Sequence, residues 1–275
     1  MSTTSGYDNS FLPIDVPVPY PTDGRSVIEL PYVHFTVLLD PARRLAAATG
    51  VNIDGAKLLD LERADDWYLD PRVPVSEQAG PELYARNDLD RGHLVRRRDP
   101  VWGERAVAQA ANDATFVFTN AAPQAAPFNQ GQNLWVGLED HVLNYARAYE
   151  QKISVFTGPV LAADDVVYRD IQIPRMFWKI AAWTTLDQVG TPVLRTAGFV
   201  LDQGPSLDDI DLSLRAGNPP PLGPFLTYQV PVAEIGSLTG LDVEILADAD
   251  QLEPVPAALP AARWKLIESA TDITL

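Results

Sequence analysis

Apolar and polar positions along this chain fall into blocks that predict many strands and few helices. Tyr32 to Leu39 is apolar and rich in β-branched and aromatic residues, the pattern of one buried strand. Met176 to Thr184 and Thr196 to Leu201 have the same character, and Ile153 to Thr157 reads as a central strand ended by Gly158-Pro159. Phe116 to Thr119 predicts a strand leading into a turn over Asn120–Gln124. Ala42 to Thr49 fits a turn or part of a strand pair, with Gly50 and Asn52 marking turns. Helical spacing appears from Asn133 to Tyr149, where Leu134, Leu138, Val142, Tyr145 and Tyr149 form one stripe. Val232 to Thr239 predicts a short helix closed by Gly240. The opening Asn9–Asp23 carries Pro13, Pro17, Pro19 and Pro21. It is expected to run extended over the surface, because proline lacks the amide that a ladder needs.

Strands and helices mix here without regular β-α-β alternation, which favours an α+β domain over a doubly wound sheet. No linker divides the chain, so one domain is expected over 28–250. A proline-rich segment over 1–27 would precede it and an irregular tail over 251–275 would follow, with a short element near Trp264. The apolar runs are too short to span a bilayer, and the first residues lack a basic and an apolar region. The expectation is therefore a chain without membrane contact, either cytoplasmic or exported by a route that needs no signal peptide.

Composition narrows the chemistry. Of 275 residues, 46% are apolar and none is cysteine, which excludes thiolate nucleophiles, thiolate metal sites and disulfides. Three histidines, His34, His93 and His141, are too few for most zinc hydrolase sites. The net charge of −16 argues against a phosphate-binding protein until its distribution is read. Between Val200 and Glu253 ten acids face one base, Arg215, whereas Arg86 to Arg98 holds five arginines against Asp88 and Asp90. The basic stretch contains Asp90-Arg91-Gly92-His93.

That motif has the parts a one-metal phosphodiesterase needs. Neutral imidazole on His93 can take a proton from water, and the forked guanidinium of Arg91 matches phosphate oxygens. Downstream, Asn129 offers an amide oxygen, a hard ligand suited to magnesium, and Glu139 on the following helix could order water around that metal. Each has an ordinary alternative: a surface turn, a helix cap for Asn129, a solvated helix residue for Glu139. His34 reads as structural, His141 as a helix-surface residue, and Phe177, Trp178 and Trp183 as core rather than a base-stacking platform. Arg96-Arg97-Arg98 fits a solvated loop, or phosphate attraction beside His93.

These blocks also resemble one family, the DNA/RNA non-specific endonucleases of the Serratia-nuclease and endonuclease G type. Asp90-Arg91-Gly92-His93 is followed in the family's order by Thr119-Asn120-Ala121-Ala122-Pro123-Gln124, Phe128-Asn129-Gln130-Gly131 and Trp135-Val136-Gly137-Leu138-Glu139-Asp140. Phe156-Thr157-Gly158-Pro159 and Ile173 to Lys179 match later strands, and Arg63 to Trp67 with Asp70-Pro71 matches an upstream segment. The resemblance implies a ββα-metal (His-Me finger) nuclease fold with a mainly antiparallel central sheet flanked by helices. It implies His93 as general base and Asn129 as ligand of Mg2+, with Mn2+ able to substitute. Arg63 and Arg91 would contact the phosphate, Glu139 would be an acid near the metal, and Asn120 would support the site. DNA and RNA would be bound through their phosphates and cut to 5′-phosphate ends. Leu143 departs from the pattern, because some relatives carry arginine there, and Arg147 lies one turn further. A silent binding relative, and the same nuclease deployed as a toxin whose acidic surface docks a cognate inhibitor, are the rival readings; a homodimer is compatible with all three.

Overall fold

Residues 6–63, 65–125, 143, 146–204, 226–252, 264–267 and 272–273 are described in the computed structural model. The chain first lays down β1 (Ile28–Tyr32), β2 (Phe35–Asp40) and β3 (Leu45–Asp54) as neighbouring antiparallel strands. The short α1 (Pro81–Tyr84) precedes β4 (Leu89–His93), and α2 (Arg105–Ala114) precedes β5 (Ala121–Ala125). Among the described residues, β4 and β5 pair only with each other. β6 (Lys152–Val160) then returns beside β3, β7 (Val166–Tyr168) and β8 (Ile171–Ile173) form a small hairpin, and β9 (Met176–Leu186) and β10 (Pro192–Asp202) form a long one. β11 (Leu226–Val230), α3 (Val232–Thr239), α4 (Glu244–Ala247) and β12 (Lys265–Leu266) complete the described elements. The eight-stranded sheet runs β1-β2-β3-β6-β9-β10-β11-β12, with every neighbouring pair antiparallel.

Central strands are apolar on both faces because both faces are covered. On β9, Phe177, Ala181 and Trp183 point to one core, while Trp178, Ile180 and Ala182 point to the other. The first core continues into Leu89, Leu94, Val95, Val117 and Ala122, which carry the β4–β5 layer. The second is closed by Val232 and Ile235 of α3, by Leu246 of α4, and by Phe11, Leu12, Val16 and Val18. Each large apolar side chain buried this way contributes on the order of 1.5–3 kcal/mol.

Several sequence expectations are corrected here. The proline-rich opening is extended but not a mere surface strap: Phe11, Leu12, Val16 and Val18 are buried and cover the sheet where a helix otherwise would, while Tyr20 stays exposed. Tyr32 to Leu39 is not one strand but a hairpin, in which His34 takes a left-handed φ of 66° between β1 and β2. His34 is structural as expected, since its ring stacks on Trp102 at 3.5 Å and Nδ1 bonds the Pro100 carbonyl at 2.8 Å. Gly50 and Asn52 lie inside β3 rather than in turns. A Cβ at Gly50 would stand 2.8 Å from Val18, and Asn52 accepts the Asp8 amide at 2.7 Å. Strand β6 runs through Gly158-Pro159, where a Cβ at Gly158 would meet the Ala47 carbonyl at 2.6 Å. Phe116 to Thr119 ends in a 3-10 turn over Phe118–Asn120, and the predicted turn is strand β5.

Other expectations hold. Phe177, Trp178 and Trp183 are core, and α3 ends at Gly240 with φ 66°, the left-handed cap that glycine adopts freely. Of the helix expected over Asn133–Tyr149, Leu143 and 146–148 are helical. The rest of it, with His141 and the loop at Asn218–Pro224, lies outside the described residues. No helix among the described residues is long and apolar enough to cross a membrane.

One side chain ties the small strand pair to the large sheet. Gln203, fully buried at the end of β10, accepts the Ala125 amide at 3.0 Å and donates to the carbonyls of Pro123 (3.2 Å) and Pro174 (2.6 Å).

Candidate active site

His93 is the last residue of β4, and the period of two in a strand puts it on the same face as Arg91. Asp90 and Gly92 face the other way, beneath Gln124 of β5, which pairs with Asp90. A Cβ on Gly92 would lie 2.0 Å from the Gln124 side chain, so any larger residue here requires that buried glutamine to shift. Local backbone after His93 is fixed by Asn120. Its amide oxygen accepts the Val95 N–H at 2.9 Å, and its amide nitrogen donates to the carbonyls of Val95 and Thr115, each at 3.0 Å. Asn120 is fully buried and all its bonds are to backbone, so it holds the chain that presents His93.

Trp67 is brought beside His93 by two backbone bonds, Tyr68 N–H to the Phe116 carbonyl at 3.1 Å and Phe118 N–H to the Tyr68 carbonyl at 2.9 Å. The His93 ring lies 4.7 Å from Trp67, centroid to centroid, and 5.2 Å edge-on from Phe116. Arg91 rests over Trp67 at 5.2 Å and Arg63 over Phe116 at 5.9 Å. The structure thus gathers His93, Arg91 and Arg63 around two aromatic rings. Trp67 and Phe116 were not singled out in the sequence, although Trp67 ends the quoted Arg63–Trp67 block; an aromatic wall carries no local signature.

Electrostatics follow from this packing. His93 is half-buried by area, but its Nε2 atom is closed from solvent and has no hydrogen-bond partner among the described residues. Burial first, then the positive charges of Arg63 and Arg97, partly opposed by Asp65, and then Arg91 push its pKa down to about 3. The imidazole is therefore neutral across the working range, the form that accepts a proton. The Tyr84 hydroxyl is also buried without a partner, and its ring lies 6.0 Å from Phe118.

The remaining arginines divide. Arg97 donates to the Leu61 carbonyl (3.0 Å) and to Asn112 Oδ1 (3.1 Å), stitching α2 to the segment that leads to Arg63. Arg98 and Arg147 both point at Asp60 Oδ1, at 2.7 and 3.1 Å. Leu143, where some relatives carry arginine, is buried in the first core. Asn129 and Glu139 lie outside the described residues.

The site is thus a strand pair bearing a histidine at its end, mounted on an antiparallel sheet, with three arginines close to that histidine. The chain belongs to the DNA/RNA non-specific endonuclease family, whose model matches residues 16–250. It is 41% identical over 268 residues to the Sinorhizobium fredii protein y4fB, covering 89% of this chain and 40% of that protein. It is 30% identical over 210 residues to human mitochondrial endonuclease G, covering 71% of this chain and 62% of that protein. The chain thus spans less than two thirds of the length of either relative. Its fold is similar to that in a crystal structure of the EndoG/EndoGI complex, with a TM-score of 0.56 at 19% identity, covering 78% of this chain and 84% of that one. The single-domain α+β architecture is therefore that of the ββα nucleases. Metal binding is typical of the family.

Proposed function

We propose that this protein is a magnesium-dependent endonuclease that cuts DNA and RNA without base specificity, leaving 5′-phosphate ends. The observation that carries the reading is the unpartnered, buried Nε2 of His93 among three arginines. Leaving a buried acceptor unpaired costs about 1–3 kcal/mol, so such an atom marks a place kept for a ligand.

The donor chemistry fits a hard divalent cation. The chain has no cysteine, and the groups that the family resemblance offers are the amide oxygen of Asn129 and the carboxylate of Glu139. A cation held by few side chains keeps most of its water, the habit of magnesium, and manganese shares that preference for oxygen. Asn129 would hold it through its amide oxygen, with Glu139 ordering the surrounding water. When bound, magnesium supplies positive charge to the phosphate and the departing 3′ oxygen.

The protein's own groups do the rest. Neutral His93 accepts a proton from the water that attacks phosphorus. Arg91 and Arg63 place forked positive charge where the phosphate oxygens gain charge, and their stacking on Trp67 and Phe116 limits their swing. Asn120 and Gly92 hold His93 in place without touching substrate. Recognition runs through phosphates, which both sugars share.

The test is a gel assay of plasmid DNA and RNA with wild type and His93→Ala, in magnesium and in chelator. Wild type should degrade both only in magnesium, and His93→Ala should be slower by about 10²–10⁴-fold. Equal rates for the two proteins would sink the assignment.

A further inference from the structure

Asp60 is an exposed carboxylate that two arginines from distant segments share through one oxygen atom. Arg98 follows β4 and Arg147 sits on the helix that ends at 148, while Asp60 lies three residues before Arg63. Such an arrangement is poorly explained as a stabilising pair. Exposed ion pairs contribute little, and one carboxylate cannot give two guanidiniums a forked partner each. It leaves one net positive charge among the three groups, at the surface of a strongly acidic protein.

Resting on the nuclease reading, we propose that Arg98 and Arg147 form a second phosphate subsite, for a backbone phosphate flanking the scissile one, and that Asp60 occupies it as an internal stand-in when nucleic acid is absent. A phosphodiester carries the same charge as the carboxylate and presents its oxygens to both forks. Arg97 marks the route between the two places, being within electrostatic reach of His93 on one side and of Asp60 and Arg98 on the other. Exchange of Asp60 for a phosphate frees the segment leading to Arg63, so occupancy of the subsite and the setting of Arg63 are coupled. The subsite reads chain length: a substrate with one phosphate reaches His93 alone, and a longer one reaches both.

Two measurements test this. Binding of a fluorescent single-stranded DNA of about 12 nucleotides, a length in the range such grooves cover, is followed by anisotropy in chelator, where cleavage is blocked. Cleavage of a dinucleotide with one phosphodiester is followed in magnesium. Arg98→Ala and Arg147→Ala should each weaken binding of the longer DNA about tenfold and lower the salt slope by about 0.7. Both should leave dinucleotide cleavage within about twofold of wild type. Asp60→Asn should tighten binding of the longer DNA. If Asp60→Asn weakens binding as much as the arginine variants do, the cluster is only structural and the proposal fails. It fails equally if the arginine variants bind the longer DNA as wild type does. Where an alanine variant does not fold, the lysine variant replaces it, with a smaller loss expected because charge stays and the fork goes. A protein with this binding pattern that cuts neither substrate overturns the nuclease reading and leaves the subsite standing; one that cuts both without the pattern does the reverse.

Discussion

One face of the large sheet gathers arginines around a histidine, whereas the other is lined by carboxylates, and the contrast lies in local clustering rather than in the net charge of either face. On one face, the β4–β5 layer brings Arg63, Arg91 and Arg97 around His93. On the other, α3, α4 and their flanks carry Glu234, Asp242, Glu244, Asp248 and Asp250 over the second core. Layers on opposite sides of a sheet are separated by two spacings of about 10 Å. That is more than twice the screening length of about 8 Å at physiological salt. A charge at His93 is therefore governed first by the groups beside it, Arg63, Arg97, Asp65 and Arg91, and much less by the distant carboxylates. Net charge predicts binding only after the fold has said which charges share a face.

Breaking the site face should have the largest effects. Gly92→Ala sets a Cβ 2.0 Å from the buried Gln124 side chain, and where that side chain has no room to turn away the strand moves and carries His93 with it. The expected result is loss of at least about 100-fold in kcat/KM, because misplacing a catalytic group by about 1 Å costs that much. Steady-state kinetics would show it, and near-wild-type activity would refute the packing argument. Next comes Asn120→Leu, which strands the Val95 N–H and two carbonyls. Destabilisation of about 3 kcal/mol is expected from urea unfolding, with kcat falling more than KM changes.

The pH response sharpens the contrast further. His93 has a pKa of about 3 in the folded protein against an ordinary 6.5, so the unfolded chain binds more protons between those values. Its contribution to stability is complete above pH 6.5 and is lost as pH falls toward 3. Activity should therefore show no acid limb from His93 between pH 8 and pH 5, in a range well above its folded pKa. Trp67→Ala admits water to the ring and should move that limb upward, toward 6.5. A pH–rate profile of both proteins decides this. The smallest effect belongs to the acidic face: Asp242→Asn, Glu244→Gln and Asp248→Asn combined should change kcat/KM by less than about twofold at physiological salt. A large increase there would show that the sheet does not insulate the two faces.

Long apolar strands and the glycine-capped helix were legible because periodicity and a left-handed cap are local signals. β9 and α3 are the clear cases. Misread segments are those whose conformation is set by distant partners. His34 turns the chain because its ring can stack on Trp102, and nothing in Tyr32–Leu39 announces that. Gly50 and Gly158 sit in strands because other segments of the chain approach closely, a reason visible only after folding. Helix α2 went unread because its buried face consists of Ala108, Ala111 and Asn112, too slight for an apolar stripe. At the site, the motif order identified His93, Arg91 and Arg63 as a group. The polarity of their surroundings could not be read, since Trp67 and Phe116 reach His93 only through the pairing around Tyr68.

Gln203 has a kinetic consequence. A two-stranded ribbon is marginal by itself, so β4–β5 borrows its permanence from the apolar layer beneath it and from this one amide. Hydrogen exchange in β4–β5 need not wait for global unfolding: once the amide lets go of Ala125, Pro123 and Pro174, the ribbon can detach as a unit while the sheet persists. The lifetime of the assembled active site is then set by a local opening equilibrium, and can be far shorter than the lifetime of the folded protein.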